Sequence, residues 1–389
     1  MQLMEEDKLH KRLILALVMV VVLVGGLAAC AAPAPAPAPA PTPAPTPAPA
    51  PAPTPAPAPT PAPTQAPAPT RAPAPAQAPK VYNINWANAS PRSEIGMWLY
   101  MERMIEQVEL ATNGQVDITA YGPGELMPAE TMLEATYEGA VDMLLATPTY
   151  FRGELPVTDI EYAMPFDFEN HLDVDAFWDW GFENFIREVY DRKNLYYIGK
   201  TNSSPLEILS SKPVETLDDM TALLCRSFGA TADLLNKVGV KTTYIPGGEL
   251  QMGLKLGTVD MAHFGGIDTE HNLGLTEVAK YLIHPIIYQR DRVGFYMYKP
   301  LWNSLPEHIQ TVLHMGVDSF QQGFSAYRWQ DRKVALKEFA ALGGVIVDLP
   351  AADEATLKQA ATEVWDDIAQ KDADCAAAVQ MLKAFLAGY

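Results

Sequence analysis

The chain has 389 residues, with 47 acidic against 28 basic side chains and a formal net charge of −19. That length admits two domains. The acidic excess argues against a nucleic-acid partner, which needs basic stripes, and an anionic ligand would need a local positive site inside a negative field.

The first 30 residues read as a targeting segment. Lys8, Lys11 and Arg12 form a basic start, Leu13 to Val24 is an unbroken apolar run, and Leu27-Ala28-Ala29-Cys30 follows Gly25-Gly26. This is the pattern of a signal peptide. Its end resembles the lipobox of bacterial lipoproteins, in which the signal is cut before the cysteine and the thiol carries the lipid, here Cys30. An uncleaved anchor is the alternative, since Leu13 to Ala32 supplies 20 residues, enough to span a bilayer. Either way the remainder lies outside the cytoplasm, in the periplasm or at the cell surface. Residues 31 to 79 are almost pure Pro and Ala. Such a stretch builds no core and reads as a disordered linker, a tether of up to roughly 150 Å at ~3.1 Å per residue.

The folded part is then residues 80 to 389, which keeps 24 basic and 44 acidic residues. It contains only Cys225 and Cys375. An exported protein can pair its cysteines, but their separation gives no evidence of a bridge, and both read as buried small apolar residues.

Lys80 to Ala87 alternates apolar and polar residues, a first strand that ends in Asn88. Ser90 or Ser93 is positioned to cap the next helix, which carries Met97, Met101, Met104, Ile105 and Val108 at helical spacing and stops at Asn113-Gly114. A strand over Val116 to Tyr121, a short helix over Pro128 to Glu138 and then, over Gly139 to Thr147, a turn into a buried strand starting at Val141 follow. This β-α-β-α-β order predicts an α/β lobe with a mainly parallel sheet. Residues 148 to 194 are rich in aromatic side chains. Strands over Leu195 to Lys200 and Leu206 to Ser211 lead into a second lobe. Thr216-Leu217-Asp218-Asp219 makes a cap. Val293 to Lys299 is a strand, Pro306 to Leu342 reads as one long helix that Gly316 and Gly323 are placed to kink, and Leu357 to Leu386 closes the chain with one or two helices.

Two pentapeptides echo each other: Gly139-Ala140-Val141-Asp142-Met143 and Gly257-Thr258-Val259-Asp260-Met261. Each follows a short helix and enters an apolar strand, one per lobe, so the aspartates read as turn or cap residues. In open α/β sheets ligands bind beyond the carboxyl ends of strands, which directs attention to Tyr150 and to His263-Phe264. Arg226 ends the apolar run Leu223-Leu224-Cys225 and precedes a helix from Ala230 to Val238. A guanidinium there, next to a helix N-terminus, is suited to hold a carboxylate; a surface ion pair is the plainer reading.

From Leu217-Asp218-Asp219-Met220, through Arg226, Pro246-Gly247-Gly248-Glu249, Gly257-Thr258-Val259-Asp260 and Val278-Ala279-Lys280-Tyr281, to Trp302-Asn303 and Leu305-Pro306, the chain resembles the solute-binding proteins of TRAP transporters, the DctP-like family. The resemblance covers roughly residues 80 to 380. It implies a periplasmic-binding-protein-like α/β fold: two lobes with a ligand cleft between them and long bracing helices. Lobe 1 would span about 80–200 plus C-terminal parts, and lobe 2 about 201–300. It implies an extracytoplasmic receptor that binds a small organic acid and delivers it to separate membrane subunits, with Arg226 gripping the carboxylate. A ligand-binding lipoprotein feeding a membrane sensor kinase is the alternative.

The resemblance is nearest the branch that binds 2-oxo and hydroxy acids, which has a Glu-Trp pair where this chain has His263-Phe264 and a Gln near Pro205, both serving a metal. Those side chains are missing, so no metal or cofactor is carried over. The sialic-acid branch has a second arginine in the region here occupied by Asn202 to Glu207. Beyond Arg226, the candidate ligand contacts are His263, Phe264, Tyr150, Trp86 and Asn88, with Arg92 as a surface arginine that can reach an anion. The chain has no G-x-S-x-G, H-E-x-x-H, C-x-x-C or Walker pattern, and its histidines fall in no ligand spacing, so nothing argues for an enzyme.

Overall fold

The computed structural model describes residues 80–388. The signal segment, Cys30 and the Pro/Ala stretch lie outside these residues. Eleven strands form two sheets among the described residues. The strands are β1 (Tyr82–Asn88), β2 (Val116–Tyr121), β3 (Met143–Ala146), β4 (Leu195–Asn202), β5 (Leu206–Ser210), β6 (Leu224–Arg226), β7 (Lys241–Thr243), β8 (Met261–Ala262), β9 (Tyr281–Tyr288), β10 (Arg292–Tyr298) and β11 (Val345–Asp348). The first sheet runs β2-β1-β3-β10-β4 and the second β11-β9-β5-β8-β6-β7.

The first lobe is the expected parallel β1-β2-β3 unit. β10 lies between β3 and β4, antiparallel to both. The strand near residues 293–299 therefore belongs to the first lobe, not to the second, because its buried face of Val293, Phe295 and Met297 completes the apolar layer under the helix Ile95–Ala111. The second lobe gains an edge strand, β11, that period-2 reading passed over. It pairs parallel to β9 and is largely exposed, so it shows no buried alternation.

The chain crosses between lobes at Ser203-Ser204-Pro205 and again at Gln289-Arg290-Asp291, and the two crossings are tied by Ser203 N–H donating to the Asp291 carbonyl at 3.1 Å. The helix Glu307–Ala341 makes the third passage. Its Ile309, Leu313, Val317, Phe320 and Phe324 pack on the first sheet, and its Ala335 and Phe339 join the core of the second lobe. It runs unbroken for 35 residues. Gly316 and Gly323 do not interrupt it. They let it approach the helix Ile95–Ala111: a Cβ on Gly323 would lie 2.5 Å from the Tyr100 ring. Helices Ala351–Ala369 and Ala373–Gly388 close the chain.

The paired pentapeptides have a common physical role. Asp142 Oδ2 accepts from the N–H and the side-chain amide of Asn85 on β1, at 2.8 and 3.0 Å. Asp260 Oδ2 accepts from the Leu224 N–H at the start of β6, at 3.1 Å. Each aspartate pins the start of its strand to a parallel neighbour. The glycine opening each pentapeptide has positive φ, +81° at Gly139 and +74° at Gly257, where a side chain would be strained. The Thr216 cap forms as a reciprocal box with Asp219. The helix after β1 starts differently: Glu94 occupies its cap position without a side-chain bond, and neither Ser90 nor Ser93 caps it. Cys225 and Cys375 are buried and unbridged.

Candidate functional site

Arg226 is the last residue of β6, flanked in register by Thr243 of β7 and Ala262 of β8. The side chain is wholly buried. Nε donates to the Ile245 carbonyl at 2.9 Å and Nη1 to the His263 carbonyl at 2.8 Å. Two bonds from carbonyls of adjacent segments fix the plane of the guanidinium. The rings of Phe228, Phe264 and Tyr244 surround it with centroids 4.7, 4.9 and 5.2 Å from Cζ. Nη2 has no hydrogen-bond partner. A buried cation held by two carbonyls and three rings is short of counter-charge, and an uncompensated buried charge destabilises by several kcal/mol, roughly 3–5 where one partner of an ion pair is removed. An anion placed at Nη2 relieves that deficit. The helix Gly229–Lys237 starts three residues on and adds the positive end of its dipole.

Beside this arginine lies a cavity of about 50 Å³. Lobe 1 contributes Ser90, Pro91, Glu94, Thr147 and Tyr150, lobe 2 contributes Phe228, Phe264, Gly265 and Thr269, and the crossings contribute Ser203 and Asp291. Arg226 stands behind its lobe-2 wall, against Phe228 and Phe264. Tyr150 packs on Phe228 with ring centroids 5.3 Å apart. Burial raises the Tyr150 hydroxyl pKa, and the charge and side-chain contact of the neighbouring Arg226 oppose that rise. A larger recess of about 580 Å³ opens elsewhere, between β9 and the helix Ala351–Ala369 and lined by residues such as Phe166, Pro285 and Trp365. Its lining includes neither Arg226 nor any residue of the cleft.

The sequence candidates separate on this geometry. Phe264 and Tyr150 line the cavity, and Arg226 abuts it. His263 does not line it. Its ring is fully buried between Phe228 and Tyr288, with centroids 5.7 and 5.6 Å away and neither nitrogen bonded. Burial drives its pKa down to about 3, with the Arg226 charge acting in the same direction. Both residues follow the end of β8 at Ala262: the His263 carbonyl serves Arg226 and its ring enters the core, while the Phe264 ring lines the cleft. Trp86 is wholly buried against Phe295 in the first lobe's core. Asn88 is internal too, accepting from Ser90 N–H at 2.8 Å and donating to Met101 Sδ at 3.3 Å. Arg92 forms a two-point bond with Glu125, both contacts at 2.8 Å, over the face of Trp98.

Several site residues escaped sequence reading. Arg328, on the long helix, is buried. Its Nη2 donates to Ser203 Oγ at 2.9 Å, Ser204 Oγ at 3.2 Å and the Gly265 carbonyl at 2.7 Å, and its Nε pairs with Asp268 at 2.9 Å. Glu94 Oε1 lies 3.8 Å from the Arg328 Nη1. One signal was available: Phe320, Phe324, Arg328 and Arg332 fall at steps of four, so two arginines occupy the stripe that the helix buries. Arg332 is answered by the buried Glu207. Glu94 and Asp291 carried no signal, since one resembles a helix-start acid and the other sits in Gln-Arg-Asp-Arg, which reads as an exposed turn.

The donors at the end of β8 do not suit a bound cation. An aromatic ring faces the cavity there, the adjacent imidazole is sealed in the core, and among the described residues no three acid, histidine or cysteine side chains converge.

Comparison with known proteins agrees with this architecture. A monocarboxylate 2-oxoacid-binding periplasmic protein of Nostoc sp. is 24% identical over 235 residues, which span 59% of this chain and 64% of that protein's length. A TRAP periplasmic solute-binding protein from Colwellia psychrerythraea, solved with calcium and pyruvate, superposes with a TM-score of 0.74 at 20% identity, covering 79% of this chain and 94% of that one. Another from Chromohalobacter salexigens, solved with (S)-(+)-2-amino-1-propanol, gives 0.73 at 18% identity, covering 80% and 96%. The two-lobed fold is common to all of these solved structures. Residues 88–372 match the model of the DctP group, bacterial extracellular solute-binding proteins of family 7, and this chain belongs to that family.

Proposed function

We propose that the protein is the extracytoplasmic receptor of a TRAP-type transporter, binding a small organic carboxylate between its lobes and passing it to separate membrane subunits. One observation carries the reading: a fully buried arginine, fixed by two carbonyls, with one N–H group unpartnered beside the inter-lobe cavity. A charged hydrogen bond to that group contributes about 1.5–3 kcal/mol. Pyruvate, named for two related structures, fits the same chemistry, while the amino alcohol named for another carries no carboxylate. Lipidation at Cys30, with the Pro/Ala stretch as a tether, would keep the receptor near its permease; this part of the reading rests on the sequence pattern alone. The protein has no role in it as an enzyme.

A thermal-shift screen of small carboxylic acids tests the reading, because a ligand stabilises by RT ln(1 + [L]/Kd). At least one acid should raise the melting temperature, and Arg226→Ala should weaken it ten- to a thousand-fold. An acid that binds Arg226→Ala as well as the unaltered protein would refute the anchor. Mass spectrometry of membrane-extracted protein, looking for a diacylglyceryl mass on Cys30, tests the lipid.

A further inference from the structure

Carboxyl groups outnumber cations around this cleft. Arg226 and Arg328 bring two positive charges, while Glu94, Asp268 and Asp291 bring three carboxyls. Arg328 is already committed to Asp268 at 2.9 Å, with Glu94 at 3.8 Å. Asp291 forms no ion pair within 4 Å among the described residues, and the Arg328 charge with the Ser203 and Tyr162 side chains offsets its burial only in part. It is 6% exposed, lines the cavity, and its Oδ1 has no hydrogen-bond partner. A plain anion entering this space would answer Arg226 and leave that carboxyl buried with only partial compensation. It would also add negative charge to a cleft that already holds an excess. Such burial is costly, since desolvated charge without a partner destabilises.

We propose that the ligand is a small zwitterion of the α-amino acid class, with its carboxylate on Nη2 of Arg226 and its ammonium on Asp291 and Glu94. The proposal rests on the cleft reading above and narrows it. The three groups come from three different parts of the molecule: Arg226 from the second lobe, Glu94 from the first, Asp291 from a crossing between them. A ligand with charge of both signs therefore ties the lobes and the hinge together, whereas an anion engages one lobe. Burial pushes Asp291 up to about 6 and raises Glu94, and both rises are those that a bound ammonium would reverse. The roughly 50 Å³ enclosed corresponds to about one or two waters at their liquid share of ~30 Å³, which favours the smallest members of the class.

Calorimetric titration of the purified chain with matched probes tests this. The probes are the small α-amino acids, the 2-oxo and 2-hydroxy acids of the same carbon skeleton, and the corresponding amino alcohols, each with and without calcium. An amino acid should bind at least ten-fold tighter than its oxo and hydroxy counterparts, and Asp291→Asn should remove that preference while leaving the plain acids unchanged or tighter. Glu94→Gln should reduce it in part, which keeps the test sharp if Asp291→Asn fails to fold. Oxo or hydroxy acids that bind as tightly as the amino acids, alone or only with calcium, overturn the zwitterion and leave the carboxylate receptor standing. Amino alcohols that bind as tightly as amino acids overturn the carboxylate anchor itself. No binding by any probe overturns both.

Discussion

His263 provides a sharp test of how the second lobe is held together. The ring is fully buried, sits between Phe228 and Tyr288, and bonds through neither nitrogen. Its pKa falls from an unfolded value of 6.5 to about 3. A depressed histidine pKa means that the unfolded chain binds a proton that the folded chain refuses. Stability is therefore complete above pH 6.5 and is lost as pH falls towards 3, with about 1.4 kcal/mol lost per pH unit between those values. At pH 5 the loss from this ring is about 2 kcal/mol, and at pH 4 it is about 3 kcal/mol. Phenylalanine matches the aromatic surroundings and has no proton to gain. Urea unfolding of the wild type and His263→Phe at intervals from pH 7.5 to 4 isolates the effect, because every other titrating group is common to both. The variant should equal or exceed the wild type at pH 7.5, and its margin should widen by about 2 kcal/mol at pH 5. Parallel stability curves across that range would show that the ring is protonated in the folded protein, and the core assignment would fall.

Asp142→Ala and Asp260→Ala should each lower stability by about 1–3 kcal/mol in denaturant melts, because a backbone N–H of the neighbouring parallel strand loses its charged acceptor; a shift below about 0.5 kcal/mol in either would deny the shared role of the paired pentapeptides. Gly323→Ala places a methyl group against the Tyr100 ring, and thermal unfolding should register about 1–3 kcal/mol of destabilisation, although alanine is the better helix former. Arg332→Met strands the buried Glu207 and should cost about 3–5 kcal/mol, with Glu207→Gln in the same chain restoring part of it; equal single and double variants would show that the pair is not coupled. The thiols of Cys225 and Cys375 are both pushed up to about 12 by burial, so iodoacetamide at neutral pH should label them only after unfolding, as peptide mass spectrometry would read.

Much of this arrangement was legible because its periodicities are local. The methionine ladder of the helix Ile95–Ala111, the alternation of β1 and the ordered motifs around Arg226 each need only a dozen residues to declare themselves. The α/β two-lobed class followed from them. What escaped depends on which segments meet. β10 looks like any apolar strand, and only pairing with β3 and β4 puts it in the first lobe. β11 is exposed along most of its length and has no pattern to read. His263 and Phe264 are indistinguishable in sequence as neighbours past a strand end, and only the folded chain turns one ring inward and the other to the cleft. Trp86 and Asn88 shared the right strand end, but their side chains close the first lobe's core. Asp291 is an ordinary turn acid until two crossings and a helix bury it.

The three passages between lobes bear on how specificity can be exchanged among relatives. A continuous block from residue 206 to residue 288 carries β5 to β9, and with them Arg226 and Phe264. Cutting at the two crossings would transplant that wall of the cleft as one piece. The block leaves behind β11, which edges the same sheet, and the helix whose Ala335 and Phe339 pack beneath it. It also leaves Glu94 and Asp291. Recombination at these natural seams would thus change the half of the cleft that carries Arg226 while keeping the half that carries Glu94 and Asp291, so the two halves can diversify separately, provided that each new block still fits the old edge strand and the old brace.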